Sequence, residues 1–175
     1  MTTGAPRLEL AAPVRVFACD VDGCLAAAGH ADYDLAAMAR IAELNRLSER
    51  DETVPALTLV TGRPHAYVDA LSQALAIRLP LSFENGVGLA TRRPYGYRLD
   101  PRAEAGLPAL RRFAAAVEAA SHLMLQPGKV ASLSVFPRPA GRDVHDLAEE
   151  LEGLRRGLGL DLDVRERTLF VVVLC

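Results

Sequence analysis

The amino-acid sequence predicts an α/β chain in two parts: a parallel sheet with crossover helices over residues 1–86, and an α+β unit on an antiparallel sheet over residues 87–175. Two observations predict it. Up to Gly86, short apolar runs alternate with segments of helical periodicity, the pattern of strands joined by crossover helices. Beyond Gly86, the chain reads as two short strands around a turn at 92–94, which antiparallel pairing allows and a crossover unit does not.

Residues 14–19 form a short apolar run suited to a strand buried on both faces, with Asp20 at its carboxyl end. Over 33–47, Leu35, Met38, Ala39, Ile41, Ala42 and Leu44 recur at helical spacing, and Asp34 near the start favours the helix dipole. "ALTLV" (56–60) is the second strand, and "TGRP" turns into a helix opened by Pro64 and continued over 66–77. "LPLSF" (79–83) is the third strand, closed by "ENG". The hairpin "VGLATRRPYGYRLD" (87–100) then leads to a helix over 104–121. A strand over 129–136 follows, with Ala131, Leu133 and Val135 alternating against serines. A helix over 143–157 and the strands "LDLDVRE" and "TLFVVVL" complete the order.

With 175 residues, half of them hydrophobic, the chain buries a sizeable core. A formal net charge of −2, from 20 basic and 22 acidic side chains, gives no field for a nucleic-acid backbone or an anionic membrane, so neither is expected as a partner. No run approaches the roughly 20 apolar residues of a membrane span, and the first residues lack the apolar stretch of a signal peptide. Cys19, Cys24 and Cys175 form no Cys-x-x-Cys pair and have no histidine beside them to complete a zinc site. A soluble, cytoplasmic protein is the expectation.

Asp20 and Asp22 in "VFACDVDGCL" (16–25) stand where the first strand ends, the edge at which parallel sheets bind ligands, and Gly23 lets the backbone approach one closely. Two carboxylates this close repel unless a cation lies between them or one is protonated, which points to a hard metal such as magnesium. A carboxylate also attacks phosphorus, while its neighbour protonates a leaving oxygen and then activates water. The alternative is an Asx-type turn that merely ends a strand. "LVTGRP" adds a hydroxyl, Thr61, a flexible Gly62 and the start of a helix whose free amides favour phosphate. Thr61 also suits a helix N-cap, and both roles are compatible. Arg63 either clamps an anionic substrate or makes a surface ion pair.

Taken together, "DVDGCL", "TGRP" and "ENG" resemble the haloacid dehalogenase superfamily of phosphatases. The resemblance is to members with a large α/β cap, such as Cof-type sugar-phosphate, phosphoglycolate and sucrose-phosphatase-like enzymes. It implies a Rossmann-like parallel-sheet core, here partial, over 1–86, with an inserted cap over 87–175. It further implies a phosphomonoester hydrolase acting through an aspartyl-phosphate on a sugar phosphate or phosphoglycolate-like metabolite. Asp20 matches the nucleophile, Asp22 the general acid/base, and Thr61 the phosphoryl-binding hydroxyl, with Gly62, Arg63 and Asn85 beside the phosphate. Mg2+ would be held by the Asp20 carboxylate and the Asp22 backbone carbonyl. Cys24 stands where many such enzymes have Thr or Val.

These enzymes carry, after the cap, a lysine and a strand ending in acidic residues, and neither is found here. The expectation is therefore a chain cut at the end of the cap, inactive by itself, with an apolar core-sheet edge open to self-association. The alternative is a non-catalytic binding or regulatory module with the same fold. Lys129, in "QPGKVASL", reads as the opening of a cap strand and not as the absent lysine. His30, His65, His122 and His145 are spaced for no metal set, and Tyr95 and Tyr97 are assigned to packing within the hairpin.

Overall fold

A computed structural model of the chain describes residues 13–27, 32–138, 140–167 and 170–175; His30, Thr168 and Leu169 lie outside the described residues. The first part runs β1 (Val16–Cys19), α1 (Leu35–Leu47), β2 (Ala56–Leu59), α2 (His65–Ala74) and β3 (Leu81–Phe83). β1 and β2 pair in parallel, with Val16 opposite Ala56 and Cys19 opposite Leu59. β3 joins β2 through a parallel bridge between Val60 and Ser82. Asp34 caps α1 by accepting from the Ala36 and Ala37 amides at 2.9 and 3.0 Å, which satisfies donors that the first helical turn leaves open. Asn45 ties the layer together from its buried position on α1: it donates to the Leu75 carbonyl and accepts from the Leu57 amide, each at 2.8 Å.

β1 departs from the expected strand buried on both faces. It forms the edge of the pair, and Val16 and Phe17 are 49% and 57% exposed. The helices account for this, since α1 packs on β2 and α2, and α2 packs on the strands that follow β2. The buried core accordingly centres on Leu59, Val68, Leu71, Leu75, Leu81 and Phe83, away from β1.

The hairpin is the second departure. β4 (Gly88–Arg92) and β5 (Tyr95–Leu99) pair with each other and, through β4, with β3, where Leu81 faces Ala90 and Phe83 faces Gly88. By pairing, the hairpin extends the β3 sheet instead of joining the later antiparallel sheet, so the sheets divide at the following helix and not at Val87. The reason is local. Glu84, Asn85 and Gly86 take left-handed φ values of 49°, 61° and 95°, which fold the chain back beside β3. Gly88 then seats the Phe83 ring where a Cβ would lie 2.0 Å from it.

The remaining chain contains α3 (Pro101–Glu118), β6 (Leu123–Leu125), β7 (Ser132–Pro137), α4 (Val144–Gly157), β8 (Asp163–Glu166) and β9 (Val171–Leu174). Its four strands form one antiparallel sheet in the order β6-β7-β9-β8. Val135, Val171 and Val173 join Leu110, Phe113 and Val117 of α3 and Leu147 and Leu151 of α4 in one cluster, and the serines that alternate with Val135 on β7, Ser132 and Ser134, are buried as well. α3 starts at Pro101 because Asp100 caps it, accepting from the Arg102 amide at 2.9 Å. No described helix is long and apolar enough to cross a membrane.

Candidate active site

The parallel register places the candidate residues. Cys19 faces Leu59 at the carboxyl ends of β1 and β2, and the Val60 amide donates to the Cys19 carbonyl at 2.9 Å. Asp20 and Thr61 therefore leave adjacent strands at the same edge. Asp20 and Asp22 flank a fully buried Val21, whose carbonyl accepts from the Leu25 and Ala26 amides at 3.0 Å. That turn keeps both aspartates off the core. Asp20 is exposed, and its Oδ1 accepts from the Val21 amide at 2.6 Å.

Thr61 is 3% exposed, and its hydroxyl accepts from the Arg63 amide at 3.3 Å. It is not the cap of α2: that position is held by Pro64, which offers no side-chain bond. The Thr61 carbonyl accepts from the Asn85 amide at 3.1 Å, and the Arg63 carbonyl accepts from the Glu84 amide at the same distance. These bonds zip the loop after β2 to the turn after β3. A Cβ on Gly62 would stand 2.9 Å from Asn85 Oδ1, so the glycine is what allows the two loops to close. Asp20, Asp22, Thr61, Gly62, Arg63 and Asn85 thus lie on three neighbouring loops.

Of the two roles read for Arg63, the structure shows an ion pair. Arg63 pairs with Asp22 inside the site, Nε to Oδ2 at 2.8 Å and Nη2 to Oδ1 at 2.5 Å. Its guanidinium lies 4.8 Å from the centre of the Tyr67 ring, and Tyr67 shares a hydrogen bond with Tyr33. The bond to Asp22 raises the Arg63 pKa further, which keeps the guanidinium charged. Beside this group, the His65 ring packs on Phe83 and Tyr97, so Tyr97 packs beyond its own hairpin.

Two residues not assigned to the site from the sequence belong to its surroundings. Glu84 is fully buried, and its carboxylate accepts from the Val130 amide at 2.7 Å, the Ala131 amide at 3.0 Å and the Ser132 hydroxyl at 2.8 Å. Lys129 lies just before β7, and its Nζ donates to the Gly62 carbonyl. The one sequence signal was for Glu84, an acid placed directly before Asn-Gly at a buried strand end; nothing local to Lys129 announces its reach.

The donor chemistry suits a hard cation. A carboxylate on Asp20 and a backbone carbonyl on Asp22 are oxygen ligands, and magnesium characteristically keeps several waters beside one or two such groups. Both Asp22 carboxylate oxygens accept from Arg63, and the Asp22 carbonyl is the ligand that the resemblance implies. Among the described residues, no group of three or more His, Cys, Asp or Glu is placed to hold a metal.

No family model and no curated protein matches this sequence. Solved structures do match its fold. The C-terminal domain of trehalose-6-phosphate phosphatase from C. albicans superposes with a TM-score of 0.58 at 20% identity, over 93% of this chain and 57% of that one. Sucrose-phosphatase from Synechocystis, in complex with sucrose and phosphate, gives 0.56 at 18% identity, over 93% of this chain and 64% of that one. A haloacid dehalogenase-like hydrolase from Bacteroides thetaiotaomicron gives 0.57 at 16% identity, over 92% and 71%. This chain therefore spans less than two thirds of the first two. At these identities the likeness is one of fold: the chain shares its fold with these two phosphatases and this hydrolase over the part of each that it spans.

Proposed function

We propose that the three loops form the site of a magnesium-dependent phosphomonoester hydrolase acting on a small phosphorylated metabolite, a sugar phosphate or phosphoglycolate-like compound. The observation that carries the reading is the placement of Asp20, with Asp22 two residues on, beside the Thr61–Gly62–Arg63 turn at the carboxyl ends of adjacent parallel strands. The fold neighbours named for phosphatase activity on trehalose-6-phosphate and sucrose phosphate favour a sugar phosphate.

In this mechanism an Asp20 carboxylate oxygen attacks phosphorus and the bond from phosphorus to the ester oxygen breaks, while Asp22, protonated from solvent on the oxygen that Arg63 releases, gives that ester oxygen its proton. Asp22, now a carboxylate, takes a proton from water, whose oxygen attacks the phosphoryl group on Asp20; phosphate leaves and the Asp20 carboxylate returns. Thr61 orients a phosphoryl oxygen. Arg63 aims Asp22, and it must give up one oxygen of that carboxylate for proton transfer, a release that the arriving anion promotes by drawing the guanidinium to itself. Magnesium, held by the Asp20 carboxylate and the Asp22 carbonyl, would neutralise charge on the phosphoryl group.

Phosphate release by the protein from an aryl phosphate and a panel of sugar phosphates, with and without magnesium, tests the proposal. Residues 1–175 by themselves are expected to release little phosphate; supplied with the lysine and acidic residues that the resemblance implies, they should show magnesium-dependent release that Asp20→Asn abolishes. Release that survives Asp20→Asn refutes the mechanism, and phosphate binding without turnover on any ester by the chain so supplied favours a non-catalytic binding module.

A further inference from the structure

We propose that Lys129 is an anion-binding residue of this site, carried to the Thr61–Arg63 turn from the four-stranded unit to meet the phosphoryl group of the substrate. The inference rests on the phosphoester reading above and adds to it a second cation.

The ammonium of Lys129 has three N–H donors, and the Gly62 carbonyl takes one of them. No carboxylate forms a salt bridge with it among the described residues. Glu84 is the acid whose charge it senses, yet both Glu84 oxygens are spent on the Val130 and Ala131 amides and the Ser132 hydroxyl. Burial lowers the Lys129 pKa, and the Arg63 cation lowers it further. Glu84 opposes these two effects and supports the charge, so the half-buried ammonium stays a cation whose N–H donors beyond the Gly62 bond are open to an arriving anion.

The alternative is a strap that ties the two parts of the chain together. That task is already done on either side of Lys129. Glu84 anchors residues 130–132 by the bonds just given, and Gly128, at φ +83°, rests on Pro64, with its Cβ position 3.8 Å from the proline ring. The backbone is thus held without help from the Lys129 side chain. What remains for that side chain is its charge, delivered to the loop that carries Thr61 and Arg63.

The probe is inorganic phosphate, with binding followed by calorimetry for the unaltered protein and for Lys129→Met, Lys129→Arg and Thr61→Val. Loss of a charged hydrogen-bond partner should weaken phosphate binding roughly tenfold or more in Lys129→Met, with Lys129→Arg retaining most of it. A parallel measurement needs no variant: phosphate should protect Lys129 from acylation in the unaltered protein, read by mass spectrometry. If Thr61→Val loses phosphate while Lys129→Met binds it unchanged and acylation is not slowed, the site reading stands and the role of Lys129 falls. If the unaltered protein binds no phosphate, both fall.

Discussion

Replacing Glu84 by alanine should separate the two parts of the chain energetically. Its carboxylate is fully buried and accepts three hydrogen bonds, at 2.7, 3.0 and 2.8 Å, from residues 46 to 48 positions away. A hydrogen bond to a charged group contributes about 1.5–3 kcal/mol, but the three are not additive, and removing the carboxylate also removes the cost of burying it. Ala131 and Ser132 are fully buried, so water cannot replace the lost acceptor, and their donors are left unpaired. A buried donor left unpaired costs roughly 1–3 kcal/mol, and we expect Glu84→Ala to cost about 3 kcal/mol in all. Glu84→Gln should cost about half as much, because its carbonyl still accepts while its NH2 opposes one N–H donor. Urea unfolding followed by circular dichroism gives the order unaltered, Gln, Ala. Amide exchange gives the location: Val130 and Ala131 should exchange about 100-fold faster in the alanine variant, the factor equivalent to about 3 kcal/mol. Alanine stability within about 0.5 kcal/mol of the unaltered protein, the scatter of ordinary surface substitutions, would refute the reasoning.

Three further outcomes are expected. Gly88→Ala places a Cβ 2.0 Å from the Phe83 ring and should lower stability by about 1–3 kcal/mol, read as a shifted urea midpoint; an unchanged midpoint contradicts the packing. Cys24 is exposed, whereas burial raises the thiol pKa of both Cys19 and Cys175, so iodoacetamide should label Cys24 first by mass spectrometry. The hydrogen bond to Glu166 at 2.8 Å raises the His145 pKa above its ordinary 6.5. A raised folded-state value means this contribution is fully present below about pH 6.5 and is lost as pH rises through the folded-state value. An NMR titration of the His145 ring should show the upward shift, and His145→Gln should flatten that part of the stability profile; titration at or below 6.5 contradicts the pairing.

The sequence by itself determined the order of strands and helices apart from β6, whose three residues are too few to show a period, and it placed Asp20, Thr61 and Asn85 at strand ends, because both are written in short-range patterns. An apolar run followed by Asp-x-Asp-Gly, or by Thr-Gly-Arg, is a strand and its turn whatever surrounds it, and Asp34 and Asp100 cap helices within three residues of themselves. Tertiary structure decided what those ends meet. Arg63 chose Asp22 across 41 positions, and Lys129 reached Gly62 across 67. Neither partner is encoded in a local pattern. The hairpin after Gly86 was legible as a hairpin, but its alternation is equally suited to either sheet; the left-handed turn at Glu84, Asn85 and Gly86 settled it by returning β4 along β3. β1 was legible as apolar, yet its exposure depends on which neighbours α1 and α2 pack against. Periodicity reports which face of an element avoids water, whereas the partner on that face is fixed only when the whole chain has packed.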